Sequence, residues 1–204
     1  VMIILNGSPR AVQSNSKEYA HMLKQYCNIE SQYFNITHSN HLRLCDKMQD
    51  FKQLVLVFPL YVDSLPVTLL NFLKTLEQNS PQKQLIVSVI INCGFIEYTQ
   101  NDIAIEMIKL FCKQQNYLLG STLSIGSGEA ILGTPFKRLV VAQIKQLATS
   151  LEKQDYKNFH ITMPIPKKLY LKASNNYWIN YGKKYGISKK QMKTLKIEDN
   201  KIQL

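Results

Sequence analysis

Short runs of apolar residues that alternate with stretches of helical apolar spacing constrain this chain more than any other feature. Residues 1–5, 54–58 and 85–91 are runs of this kind, and they stop at Asn6-Gly7, Pro59 and Asn92, while 117–125 reads as a further strand. A weaker one covers 32–36. Between them, Tyr19, Met22, Leu23, Tyr26 and Cys27 fall on one helical face, as do Leu65, Leu69, Phe72, Leu73 and Leu76. So do Ala104, Met107, Ile108, Phe111 and Cys112, and then Phe136, Leu139, Val140, Ile144, Leu147 and Leu151. A strand apolar at consecutive positions is buried on both faces, as in parallel sheets, and parallel neighbours need crossover connections that helices supply. Five strand and helix alternations therefore predict a doubly wound α/β fold: a five-stranded parallel sheet with helices on both faces. In such sheets ligands bind beyond the carboxyl ends of the strands.

Charge divides the chain unevenly. Residues 156–204 hold eleven of the 25 basic residues and two of the 14 acidic ones, so most of the formal charge of +11 belongs to one segment. The expected organisation is a domain over 1–155 and a basic, aromatic-containing extension over 156–204. No apolar run approaches the ~18 residues needed to cross a bilayer, and the chain opens on a strand-like segment, which points to a soluble, untargeted protein. Cys27, Cys45, Cys93 and Cys112 lack the paired spacing of a metal or redox motif, which favours a reducing, cytoplasmic compartment. His38 and His41, in a polar Asn/Ser stretch, read as solvated, and no metal site is expected.

Three loops follow the buried strands. The first, Asn6-Gly7-Ser8-Pro9-Arg10-Ala11-Val12-Gln13-Ser14-Asn15-Ser16, enters a helix. Its hydroxyls, the planar fork of Arg10 and the positive helix end suit an anion such as a phosphate monoester. It has neither the Gly-Lys-Ser/Thr ending of a triphosphate loop nor three glycines of a dinucleotide fingerprint. The competing reading is that its serines only cap the helix. In the second loop, Pro59, Leu60, Tyr61 and Val62, the tyrosine could border a flat ring, or Tyr61 and Leu65 could be core and helix-entry residues. The third holds Asn92, Cys93, Gly94 and Phe95. The N–H groups of Cys93 and Gly94 and the Asn92 side chain could bond the edge of a heterocycle. Cys93 lacks a neighbouring histidine or cation to activate it as a nucleophile.

Taken in order, these loops resemble the flavodoxin-like NAD(P)H-dependent FMN reductase and quinone reductase family over about residues 1–150. The resemblance extends to a glycine-rich turn at Gly126-Ser127-Gly128-Glu129, while Ala11 and Val12 stand where polar or glycine residues are common. It implies that Ser8, Arg10, Ser14, Asn15 and Ser16 hold the phosphate of FMN. Pro59, Leu60, Tyr61 and Val62 would flank the isoalloxazine, and Asn92, Cys93, Gly94 and Phe95 its pyrimidine edge. Implied too is a reaction in which NAD(P)H delivers hydride to the flavin and a small-molecule acceptor, such as a quinone, azo compound or free flavin, takes the electrons. The alternative is a non-catalytic electron-transfer or binding module. In the extension, Tyr170, Ser174, Tyr177, Trp178, Tyr181 and Tyr185 share one helical face amid lysines that run on to Lys196. Packing across a homodimer is the leading reading, ahead of peripheral membrane contact, with nucleic acid last.

Overall fold

The structure, a computed structural model, describes residues 1–11 and 13–194. Val12, with its departure from the family pattern, and Lys196 of the basic extension lie outside the described residues. The chain divides into two compact units, one over Val1–Met163 and a second beginning at Pro164.

In the first unit, strands β1 (Met2–Asn6), β2 (Ser31–Asn35), β3 (Gln53–Pro59), β4 (Ile86–Asn92), β5 (Leu118–Ile125) and β6 (Asn158–Ile161) form one sheet in the order β2-β1-β3-β4-β5-β6. Every pairing is parallel. The sheet thus has six strands, not five. It differs from the 3-2-1-4-5-6 order of dinucleotide folds and adds an edge strand to the flavodoxin-like order 2-1-3-4-5. The added β6 lies beyond residue 155, where the basic extension was expected to begin. It escapes sequence reading because it is four residues long and alternates exposed and half-buried positions. Hydrogen bonds hold it instead of a core: Thr122 Oγ1 donates to Asn158 Oδ1 at 2.8 Å, and Lys157 N–H donates to Ser121 Oγ at 3.1 Å.

Strand side chains alternate between faces. Ile3, Leu5, Leu54, Leu56, Phe58, Val87, Val89 and Ile91 face α2 (His41–Met48), α3 (Val67–Gln78) and α4 (Asp102–Gln114), and all are buried in one cluster with residues of those helices. Met2, Ile4, Val55, Val57 and Ile90 are buried on the opposite side. There α1 (Asn15–Tyr26) and α5 (Lys137–Lys153) pack together, with Tyr19, Leu23, Val140, Ile144 and Leu147 buried. The helix α2 was not anticipated. Within this polar stretch only Leu44, Cys45 and Met48 are buried, too few apolar positions to show a period. His41, expected to be solvated, is half-buried with its ring edge-on to Phe72 at 6.0 Å, and burial lowers its pKa.

Close backbone approach fixes one glycine. A Cβ on Gly126 would lie 2.7 Å from the carbonyl oxygen of Ile96 and 2.8 Å from Thr162 Oγ1, whereas Gly133 has open space around it. Gly126→Ala is therefore expected to lower unfolding free energy by about 1–3 kcal/mol in denaturant titrations, and Gly133→Ala to change it far less.

Candidate functional site

Strand registry sets the carboxyl edge of the sheet. Asn6 lies opposite Asn35 and Val57, and Pro59 opposite Asn92, which in turn faces Ile125. Three of the four loops gathered here follow β1, β3 and β4, and with the start of α1 they hold the residues that the resemblance assigns to the flavin. The fourth follows β5.

The first loop is wound around a buried asparagine, Asn6, which is not among the residues expected to hold the phosphate. Asn6 is fully buried, and its Nδ2 lies 3.1–3.4 Å from Ala11 O, Ser14 Oγ, Tyr33 Oη and Asn35 Oδ1. Its Oδ1 accepts from Ser8 N–H at 3.0 Å. Beyond it the chain makes two short turns, Ala11 N–H to Ser8 O and Gln13 N–H to Arg10 O, and enters α1. Ser14 is the N-cap, its Oγ accepting from Lys17 N–H at 3.2 Å. The capping reading of this serine is thus correct as far as it goes. Ser8 is 4% exposed and accepts from Arg10 N–H at 3.3 Å. Arg10 itself is exposed. Residues 6–17 contain two cations and no carboxylate, and the first N–H groups of α1 have no carbonyl within the helix to bond. Such a donor set fits the phosphate of a mononucleotide.

Asn15 and Ser16 serve the scaffold. Asn15 Nδ2 donates to Gly128 O at 2.8 Å, and Tyr19 Oη donates to the same carbonyl at 2.9 Å. Ser16 Oγ accepts from Asn92 Nδ2 at 3.1 Å, and Asn92 also donates to Phe58 O at 3.2 Å. Asn92 is 3% exposed, so its amide ties β4 to β3 and α1 rather than offering a donor to a heterocycle. The N–H of Cys93 is likewise committed, to Ile125 O at 3.0 Å. Both corrections have one cause. At the rim of a parallel sheet the strand ladder and its neighbours take polar groups that sequence alone shows as free. The β5 loop completes the stitching: Gly128 N–H donates to Cys93 O at 2.7 Å and Ser127 N–H to Phe95 O. A Cβ on Gly94 would meet Glu129 at 3.6 Å, so that carboxylate stands beside the third loop.

Cys93 is buried, its Sγ 3.7 Å from Phe95 O and Glu97 O, and burial pushes its pKa up to about 11. A thiol held neutral is no nucleophile at physiological pH. Burial acts the same way on Cys45, raised to about 11, and Cys112, raised to about 12. Between the ordinary thiol value of 9.0 and these values the unfolded chain loses protons that the folded chain keeps. Stability is accordingly expected to be intact below pH 9 and to fall steadily as pH rises to 11. Denaturant midpoints measured across that range check it, and replacing the three thiols by Ala should flatten the decline.

The second loop is a two-residue hairpin. Tyr61 and Ser64 exchange backbone hydrogen bonds of 3.0 and 2.9 Å, and Val62 and Asp63 between them have φ of 48° and 54°. Positive φ at both central residues defines a type I′ turn, normally built from Asn-Gly. A β-branched residue there is strained, and Val62 is 94% exposed, so packing does not offset the cost. Tyr61 and Phe95 are 44% and 52% exposed, which leaves two aromatic rings accessible in the loops beyond β3 and β4, while Leu60 packs against the core. Val62→Asn is expected to raise unfolding free energy by about 1 kcal/mol; an unchanged or lower value would mean that something other than the turn holds Val62.

No protein-family profile matches the chain, and no curated protein does. Solved structures do. A flavodoxin from Streptococcus pneumoniae superposes with a TM-score of 0.57 at 11% identity, covering 76% of this chain and 99% of the other. An NADPH-quinone reductase from P. pentosaceus gives 0.56 at 15% identity, covering 72% and 96%. An FMN-dependent NADH-azoreductase from Bacillus anthracis, solved in complex with FMN, gives 0.55 at 12% identity, covering 74% and 98%. The fold is flavodoxin-like, and the structures that share it include reductases of the kind the loops resemble.

Proposed function

We propose that this chain is an oxidoreductase that uses FMN to pass electrons from NADH or NADPH to a small acceptor such as a quinone, azo compound or free flavin. One observation carries the reading. A loop with hydroxyls, amides and Arg10 but no carboxylate leads into the N-terminus of α1, where the strand order reverses between β1 and β3, with Tyr61 and Phe95 exposed in the adjoining loops. Supporting it are the order of the three loops in the sequence and the fold shared with a quinone reductase and an FMN-dependent azoreductase.

Bound here, flavin supplies a two-electron centre that no side chain provides. The protein's work is to bind and orient. Arg10, the Ser8 hydroxyl and the first turn of α1 would hold the phosphate, with Ser14 fixing the helix start. Asn15, Ser16 and Asn92 keep the loops in mutual register. Tyr61, Val62 and Phe95 would border the flat ring and displace water from it, and Pro59 and Leu60 set where their hairpin leaves the sheet. Catalysis of this type rests on holding two flat molecules in contact rather than on an acid and base pair, which agrees with a thiol at Cys93 that stays protonated.

Titrating the protein with FMN in the visible, then adding NADPH or NADH without oxygen, separates the readings. The proposal expects saturable binding followed by bleaching of the flavin band. Binding without bleaching would support the electron-carrying module, and absence of binding would refute both. Replacing Arg10 and Ser14 by Ala together is expected to weaken FMN by about 10- to 100-fold, whereas His38→Ala, in the exposed loop after β2, should leave it unchanged.

A further inference from the structure

Residues 164–194 carry eight lysines and no carboxylate. They form α6 (Lys167–Lys184) and α7 (Lys189–Thr194), and Gly182 is where the two meet: a Cβ there would fall 2.9 Å from Met192 Sδ. Between the helices runs an open groove of about 700 Å³ lined by Lys168, Lys172, Lys189, Lys193, Trp178 and Ile179. Helical geometry places Tyr170, Tyr177, Trp178, Tyr181 and Tyr185 within an arc of about 100°. The last four remain 61%, 50%, 43% and 66% exposed. Their rings touch in series, Tyr177 to Trp178 at 5.3 Å, Trp178 to Tyr181 at 5.8 Å and Tyr181 to Tyr185 at 5.0 Å.

Charge defines the occupant. Eight lysines with no carboxylate among them suit a partner that carries negative charge. Two anionic surfaces are common, and the rings discriminate between them. Single-stranded nucleic acid needs free aromatic faces on which bases stack, but here the rings lie against one another. Tyrosine and tryptophan in a continuous arc are instead suited to the headgroup layer of a bilayer, where an apolar ring and a polar tip are both satisfied. By the same geometry Lys167 and Lys184 lie within or beside this arc, where they add attraction to anionic lipid, while Lys168, Lys172 and Lys183 fall on the other side of α6. None of the helices among the described residues is long and apolar enough to cross a membrane, so the contact is with the surface.

We propose that α6 and α7 form a docking surface for anionic lipid bilayers, with the tyrosine and tryptophan rings in the headgroup layer, Lys167 and Lys184 at the lipid phosphates beside them, and the other lysines of the segment adding attraction at longer range. This surface is independent of the flavin reading, and its test needs no cofactor.

Trp178 is the one tryptophan of the chain, so its fluorescence reports directly from the surface. The full-length protein is mixed with vesicles of phosphatidylcholine alone, or of phosphatidylcholine with phosphatidylglycerol, and binding is followed by the emission shift and by flotation. The proposal expects a blue shift and co-flotation with the anionic vesicles only, both lost as salt rises from ~0.1 M to ~1 M and the screening length falls from about 10 to about 3 Å. Changing Lys167 and Lys184 together to Gln should cut the partition on the order of 10-fold or more, and changing Lys172 and Lys183, on the other side of α6, should cut it less. Equal binding to neutral vesicles, or no binding to either, overturns the proposal. So does a shift produced only by a single-stranded oligonucleotide, or one that follows protein concentration without lipid, the sign of a second copy covering the arc.

Discussion

The carboxamide of Asn6 organises the end of the sheet. Two hydrogens on its Nδ2 are shared among four acceptors from the first loop and from β2, and its oxygen receives Ser8 N–H. A buried amide with every polar atom engaged is costly to disturb, because removing it leaves several desolvated partners at once. It follows that the loop cannot spread or slide along β1. Ser8, Arg10 and the start of α1 are presented in one arrangement, with Ser8 N–H, Ala11 O and Ser14 Oγ tied to this amide and Arg10 N–H to Ser8 Oγ.

Asn92 and Gly128 extend the same logic across the edge. Asn92 joins β4 to Phe58 and Ser16, and the Gly128 carbonyl receives both Asn15 and Tyr19 while its N–H reaches Cys93. Gly128 has to be glycine, since a Cβ would stand 2.7 Å from that of Asn92. Four loops are thereby fastened to one another beneath a rim on which Arg10, Tyr61, Val62 and Phe95 remain exposed. Polar residues such as Asn6, Asn15, Ser16 and Asn92 build the platform, while Arg10, Tyr61, Val62 and Phe95 are exposed on it together with Asp63 and Glu129. A strained turn at Val62 and Asp63 sits on the outward side, where strain tends to accompany ligand contact.

Periodicity made most of this architecture legible. Runs apolar on both faces revealed β1, β3 and β4, and helical stripes revealed α1, α3, α4 and α5, because burial writes itself into spacing. The strand β5, with Gly120, Ser121, Thr122 and Ser124, followed from the alternation of strands and helices. What lacked a stripe was missed: β6 is held by Thr122, Ser121 and main-chain bonds, and α2 buries only three side chains. At the rim, composition singled out loops that the fold gathers at one sheet edge but not the direction of each polar group. Asn92, Asn15 and Ser16 have residue types equally suited to a ligand or to a neighbouring backbone, and only three-dimensional pairing distinguishes these uses. Asn6 carried a weak signal, as a polar residue closing an otherwise apolar strand. Such a residue is buried with its strand and must find partners there.

The account rests on an anion held at the start of α1, and comparing FMN with riboflavin tests this most directly. The two share the ring system and differ by the phosphate. Titrations followed by flavin fluorescence are expected to show FMN binding about 100-fold more tightly than riboflavin, with the difference erased in Asn6→Ala protein that remains folded by circular dichroism. Equal affinity for the two flavins would show that the first loop holds no phosphate, and would contradict the account.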